Sequence, residues 1–188
     1  TVTIIPESSR TLNRMTLSYL TKILPPPIEP VESCGSWSHI EEALGALLPA
    51  DFKEFIETYG SGTIAQFISV LNPFSGRPGL NLLEQSQRQL DALRVLQDEF
   101  GEQNPFALYP APRGLLPVAI TDNGDVVHWR TNGEAVDWTM VVNESRSPDY
   151  QEFQCNLTEF LAGNLDGTIA CDAFPRSVFG SSPIFHVA

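Results

Sequence analysis

Asp122 and Asp125 bracket an Asn123-Gly124 pair in the stretch "TDNGD". Two carboxylates at this spacing can pass a proton to a substrate or share a metal ion. Aspartates beside Asn-Gly are also ordinary turn chemistry, and Asn-Gly suits a two-residue hairpin turn with positive φ at both positions. The turn alone explains every residue of the group, so the structural reading is preferred. The histidines offer less. His39 falls at the start of a predicted helix, His128 in a predicted strand beside Trp129, and His186 near the end of the chain. None belongs to a His-x-x-x-His or His-Glu-x-x-His pattern, so no metal ligand set is predicted. His128 is a candidate general base, set against the commoner role of packing.

Cys34, Cys155 and Cys171 are odd in number, far apart and in no Cys-x-x-Cys pair. That spacing argues against a disulfide framework or zinc knuckle and favours buried thiols in a reducing compartment. The sequons at Asn143 and Asn156 read as chance matches. Gly60-Ser61-Gly62 invites comparison with a phosphate loop. That loop needs a lysine and Ser/Thr after the glycines and a helix behind them. Here the glycines follow a helical pattern and "TIAQFISVL" comes next, which reads as a strand. A helix stop and a tight turn into a sheet are expected. No Gly-x-Ser-x-Gly elbow is present. The remaining group is Glu41, Glu42, Asp51 and Glu54, acidic residues spread over two predicted helices. It reads as a solvated face or as a docking surface for a basic partner.

These groups need elements to position them. The 188 residues suffice for one domain with a sizeable core, and 42% of them are hydrophobic. No apolar run approaches the roughly 20 residues that span a bilayer, and no signal-peptide pattern opens the sequence. Net charge is −12, from 23 acidic and 11 basic residues. Such a surface repels nucleic acid and anionic membrane and draws in basic proteins. A cytoplasmic protein without cofactor or metal is expected.

Along the chain, "MTLSYLTKIL" has helical spacing and "PPPIEP" makes a stiff strap. Residues 1–30 are therefore read as an N-terminal extension and 31–188 as a single domain. Ser38 and Glu41 match a capping box, opening a helix with Ile40, Leu44, Leu47 and Leu48 on its core face up to Pro49. A second helix presents Phe52, Phe55, Ile56 and Tyr59, and Gly60 stops it. The longest helical pattern carries Leu82, Leu83, Leu90, Leu93, Leu96 and Phe100, with Gly101 as its stop. Then "FALYP", "LLPVAIT", "DVVHWR" and "DWTMVVNE" read as short strands, and "YQEFQCNLTEFLAG" as a last strand and a helix capped by Asn156 or Thr158. The apolar tail is expected to dock. Strands clustered in sequence predict an α+β fold, a mostly antiparallel sheet flanked by helices.

The segment from Trp37 to Gly62, with Trp37, Ile40, Glu41, Leu44-Gly45, Leu48-Pro49, Asp51-Phe52-Lys53-Glu54-Phe55-Ile56 and Tyr59-Gly60-Ser61-Gly62, resembles the opening signature of the SUKH superfamily. The prolines before Trp37 are similar to those of actinobacterial-type members, and the Asn-Gly turn followed by a strand tryptophan, "DWTMVVNE" and "LTEFLAGNLDG" are similar to later family features. The resemblance spans roughly Met15 to Asp166; residues 1–14 have no counterpart. It implies an α+β fold, no catalytic constellation, and a role in binding other proteins. Many bacterial members are immunity proteins that neutralise nuclease or deaminase toxins, and others are regulatory interaction proteins. The expected partner is a basic effector or toxin. Candidate contacts are Glu41, Glu42, Asp51, Glu54, Asp122, Asp125 and Trp129, with a core position for Trp129 weighed ahead of its role as anchor.

Overall fold

The computed structural model describes residues 13–101, 104–145, 147–175, 177–180 and 182–188, with the side chains of 13–16 left out. Met15, the first apolar residue of "MTLSYLTKIL", therefore lies outside the described side chains. The elements run α1 (Asn13–Ile23), α2 (Trp37–Leu44), α3 (Ala50–Tyr59), β1 (Gly62–Ile64), β2 (Ile68–Val70), α4 (Leu82–Phe100), β3 (Leu115–Thr121), β4 (Val126–Arg130), a 3₁₀ turn (Ala135–Asp137), β5 (Thr139–Asn143), β6 (Tyr150–Phe153), α5 (Leu157–Asp166) and β7 (Phe185–Val187). The seven strands form one antiparallel sheet in the order β6-β5-β4-β3-β2-β1-β7. The fold is α+β with helices flanking that sheet, as the clustering of strands predicts.

Side chains alternate across each strand, so each face receives its own cover. Val127 and Trp129 of β4 and Met140 and Val142 of β5 join the main core with Phe52, Phe55 and Ile56 of α3 and Phe160 and Leu161 of α5. Val126, His128 and Val141 alternate with them, buried but outside that cluster. Beside them α4 runs along β3, burying Leu90 and donating from Ser86 Oγ to the Pro117 carbonyl at 3.0 Å. β3 is buried at every position but Ile120, as a central strand covered on both faces must be.

Four expectations need correction. α2 stops at Leu44, where Gly45 takes the left-handed conformation (φ 76°). Helical periodicity ends there, so of the two leucines that follow, Leu48 is buried and Leu47 is 66% exposed. "TIAQFISVL" is a hairpin rather than one strand, because Ala65 and Gln66 both adopt positive φ and the Phe67 N–H closes the turn on Ile64. "FALYP" forms only an isolated bridge between Leu108 and Leu115. The β3–β4 turn centres on Asp122-Asn123, with only Gly124 at positive φ (91°) and its N–H bonded to the Thr121 carbonyl. The chain thus uses a three-residue loop with glycine in the left-handed position, where Asn-Gly alone had suggested the two-residue form.

The helix assigned to an N-terminal extension packs into the same core. Leu20 and Leu24 of the α1 segment are fully buried, and the Tyr59 hydroxyl donates to the Leu24 carbonyl at 2.6 Å. The tail returns as β7, pairing with β1 and burying Phe185.

Candidate functional site

In the Gly60-Ser61-Gly62 segment the donors of Gly60 and Ser61 are engaged within the fold. The Gly60 N–H donates to the Ile56 carbonyl at 2.8 Å and the Ser61 N–H to the Val31 carbonyl at 2.9 Å. Ser61 Oγ donates to Glu32 at 2.6 Å and accepts from Asn72 Nδ2 at 2.9 Å. Glu32 also accepts from the Gly76 N–H at 2.8 Å. The Ser61 hydroxyl bond holds its carboxyl below the usual range, against the opposing effect of partial burial, with help from Gly76, Ser75 and Arg77. The cluster ties the proline strap to the end of α3 and to the loop after β2.

The seven candidate contact residues separate into two groups. Asp51, Asp125 and Trp129 are 3%, 2% and 1% exposed, which takes the two aspartates off the surface and puts Trp129 in the core, the position weighed first for it. Each has an internal task. Asp51 accepts from the Thr158 N–H at 3.1 Å, placing a carboxyl of α3 at the N-terminus of α5, where backbone donors lack intrahelical partners. Burial pushes its pKa up to about 6. Asp125 accepts from Thr121 Oγ1 at 2.7 Å and from the Ser145 N–H at 3.0 Å, locking the β3–β4 turn. Trp129 meets Phe52 edge-on with ring centroids 4.9 Å apart and Trp138 at 5.6 Å.

Glu41, Glu42, Glu54 and Asp122 remain at or near the surface. Glu41 is half-buried: it accepts from the Leu48 N–H at 2.8 Å and pairs with Lys53 at 2.5 Å. Burial alone would raise its pKa, but the Leu48 amide and Lys53 lower it on balance. The capping box drawn from Ser38 and Glu41 does not form; the N-cap is Ser36, without a side-chain bond, and Glu41 closes the α2–α3 corner instead. Asp122 belongs elsewhere, its N–H bonded to the Phe67 carbonyl beside the β1–β2 turn.

α2 and α3 meet at the surface through Trp37–Glu57 and Glu41–Lys53. Glu42 and Glu57 are exposed, Glu54 is half-buried, and no α2 residue is fully buried. Trp37 donates from its indole to Glu57 at 2.9 Å, packs on Phe74 at 4.7 Å and lies under the Lys53 ammonium at 5.7 Å. Sequence reasoning missed Glu57 and Leu47. Glu57 lies six residues past Asp51 on the same helix, a signal that was present; Leu47 was hidden in a run of apolar residues.

His128 is fully buried, and neither ring nitrogen meets the geometry of a hydrogen bond, although the Val141 and Val126 backbone lies close by. Burial lowers its pKa to about 4, although the Val141 and Val126 backbone slightly favours the charged ring. A base sealed this way reaches no substrate. Burial likewise raises the Cys155 thiol and pushes Cys171 up to about 12, leaving both as protonated core side chains. Among the described residues no group of three or more His, Cys, Asp or Glu is placed to hold a metal ion, and no helix is long and apolar enough to cross a membrane.

Fold and surface together define an α+β domain whose buried carboxylates fasten elements to one another and whose open carboxylates line a helical corner. A family model of the SUKH group, described as SMI1-KNR4 cell-wall, matches residues 35–161, more than half of the chain. The chain belongs to this SMI1-KNR4 family. Membership fits a module that works through protein–protein interaction. No curated protein and no solved structure matches it.

Proposed function

We propose that this chain is a non-catalytic protein-binding module of the cytoplasm that neutralises a basic effector, as an immunity protein does for a nuclease- or deaminase-type toxin. The observation that carries the reading is exposure along α2 and α3: Glu42 and Glu57 are exposed, Glu54 is half-buried, and Leu47 in the connection between the two helices is 66% exposed. Open carboxylates and an exposed apolar side chain suit a partner that brings cations and apolar contact. Asp122 is exposed at a separate turn and Glu41 is paired with Lys53, and the net charge of −12 speeds encounter with a basic partner.

The test begins with affinity capture from the native host and reconstitution with the purified partner. Binding should weaken steadily as salt rises, because exposed charges are screened. Glu42→Lys combined with Glu54→Lys should weaken it about tenfold, since rim charges contribute up to about 1 kcal/mol each. Salt-independent affinity, or a partner without excess basic charge, would overturn the electrostatic part. The family's cell-wall description favours a second reading, a regulatory scaffold without a toxin partner. The nature of the captured protein separates the two: a toxin whose activity the chain blocks supports the first, and a signalling or wall-building factor supports the second.

A further inference from the structure

The strap between α1 and α2 carries Pro25, Pro26, Pro27 and Pro30. Each ring fixes its own φ and pushes the residue before it toward extended backbone, so covalent geometry alone holds most of the strap open. The chain bends at Ile28 and Glu29. Both ends are clamped. Leu24 is fully buried, and its carbonyl accepts from the Tyr59 hydroxyl at 2.6 Å. Past the bend the Val31 carbonyl accepts from the Ser61 N–H at 2.9 Å, and the Glu32 carbonyl accepts from Asn72 Nδ2 at 2.9 Å.

Between the clamps the strap turns apolar surface outward. Pro25 and Pro26 are exposed, and Ile28 at the bend is 100% exposed, the most exposed large apolar side chain among the described residues. A lone surface isoleucine is ordinary. Here it continues a row of proline rings, and a connector that needed only stiffness would be served as well by a polar residue at that position. The carbonyls of Pro25, Pro26, Pro27 and Ile28 accept no hydrogen bond from any described residue. Proline lacks an N–H, so such a run offers acceptors almost without donors. What completes it must bring donors set in an apolar wall. Tyrosine and tryptophan are built that way, each with an apolar ring and one O–H or N–H.

We propose that residues 25–28 dock into a groove lined by tyrosine and tryptophan on a partner domain. The Pro25 and Pro26 rings pack on the aromatic faces, the free carbonyls accept from the tyrosine hydroxyl and tryptophan indole, and Ile28 fills an adjoining apolar pocket. The clamps hold the ridge in shape before contact, so binding costs little conformational entropy. The strap carries its own chemistry, and the proposal stands whether or not a basic effector binds elsewhere on the chain.

A purified WW domain and a purified SH3 domain, both with aromatic-lined grooves, are the probes for the full chain. In amide NMR titrations at least one of them should shift Ile28, Glu29 and Val31. Ile28→Ser, and Pro25→Ala combined with Pro26→Ala, should each weaken that binding about fivefold, while Phe100→Ser, at an exposed apolar site on α4, leaves it unchanged. A free peptide of residues 24–31 should bind at least about threefold more weakly than the chain, because it must first become ordered. Ile28→Ser alters a side chain wholly in solvent and keeps the test decisive if the double proline variant fails to fold. Titrations with both domains that leave Ile28, Glu29 and Val31 unmoved overturn the proposal, and so does binding indifferent to Ile28→Ser. Equal binding by the free peptide overturns the role of the clamps. Strap binding in a chain that captures no basic effector upholds this proposal and counts against the effector reading.

Discussion

Asp51 and His128 are buried ionisable groups with opposite effects on stability. Asp51 has its pKa raised from 3.8 to about 6, so folding takes up a proton between those values and stability falls as pH rises through them. His128 has its pKa lowered from 6.5 to about 4, so folding releases a proton and stability is lost as pH falls through that range. Each effect amounts to roughly 3 kcal/mol, and over the shared window they largely offset. Urea midpoints of the wild type should therefore change little between about pH 6 and 4.5. Asp51→Asn should leave the His128 slope, losing stability on acidification. His128→Leu should leave the Asp51 slope, gaining stability on acidification, and at neutral pH it should match or exceed the wild type because two unpartnered nitrogens disappear. Flat profiles in both variants would show that neither group is sealed as described. Unchanged biological activity of a His128→Ala variant would also remove the general-base reading. The sequence marked Asp51 as acidic and helical but not as buried. Its pairing with Thr158 joins residues 107 positions apart, and local pattern carries no trace of that.

The corner from α3 into β1 depends on glycine for steric reasons. Gly60 holds φ 66° and ψ −148°, and a Cβ there would stand 2.1 Å from the Val31 carbonyl oxygen. Gly60→Ala should cost more than about 2 kcal/mol in a thermal or urea melt, since both the backbone and the strap would have to move. The next turn has the opposite need: Gln66 is exposed and held at φ 55° without glycine's freedom. Gln66→Gly should gain up to about 1 kcal/mol in the same melt, and a loss would mean that the side chain has a role there. Of these two positions only the first was legible in the sequence. The stop at Gly60, the apolar face of α3 and the Asn156 cap of α5, seen as a full capping box with Glu159, follow from local chemistry. The β1–β2 hairpin does not, because Ala65-Gln66 carries none of the usual turn residues.

The matched family span, 35–161, leaves out α1 and β7, yet both complete the molecule. Leu24→Ala should cost about 2–5 kcal/mol, as for a fully buried leucine, and a loss below 1 kcal/mol would show α1 to be a loose attachment. The clustering of strands was sufficient for the α+β class, because periodicity and turn chemistry are written residue by residue, and the resemblance of Trp37 to Gly62 to a known signature pointed to the family. Only the tertiary structure decided which carboxylates reach solvent. It drew Asp51 and Asp125 inward to satisfy backbone donors, left Glu42 and Glu54 on the helical corner, and carried Phe100 past the edge of the core. Burial depends on what the rest of the chain brings alongside a residue, and that is settled by packing between segments far apart in sequence.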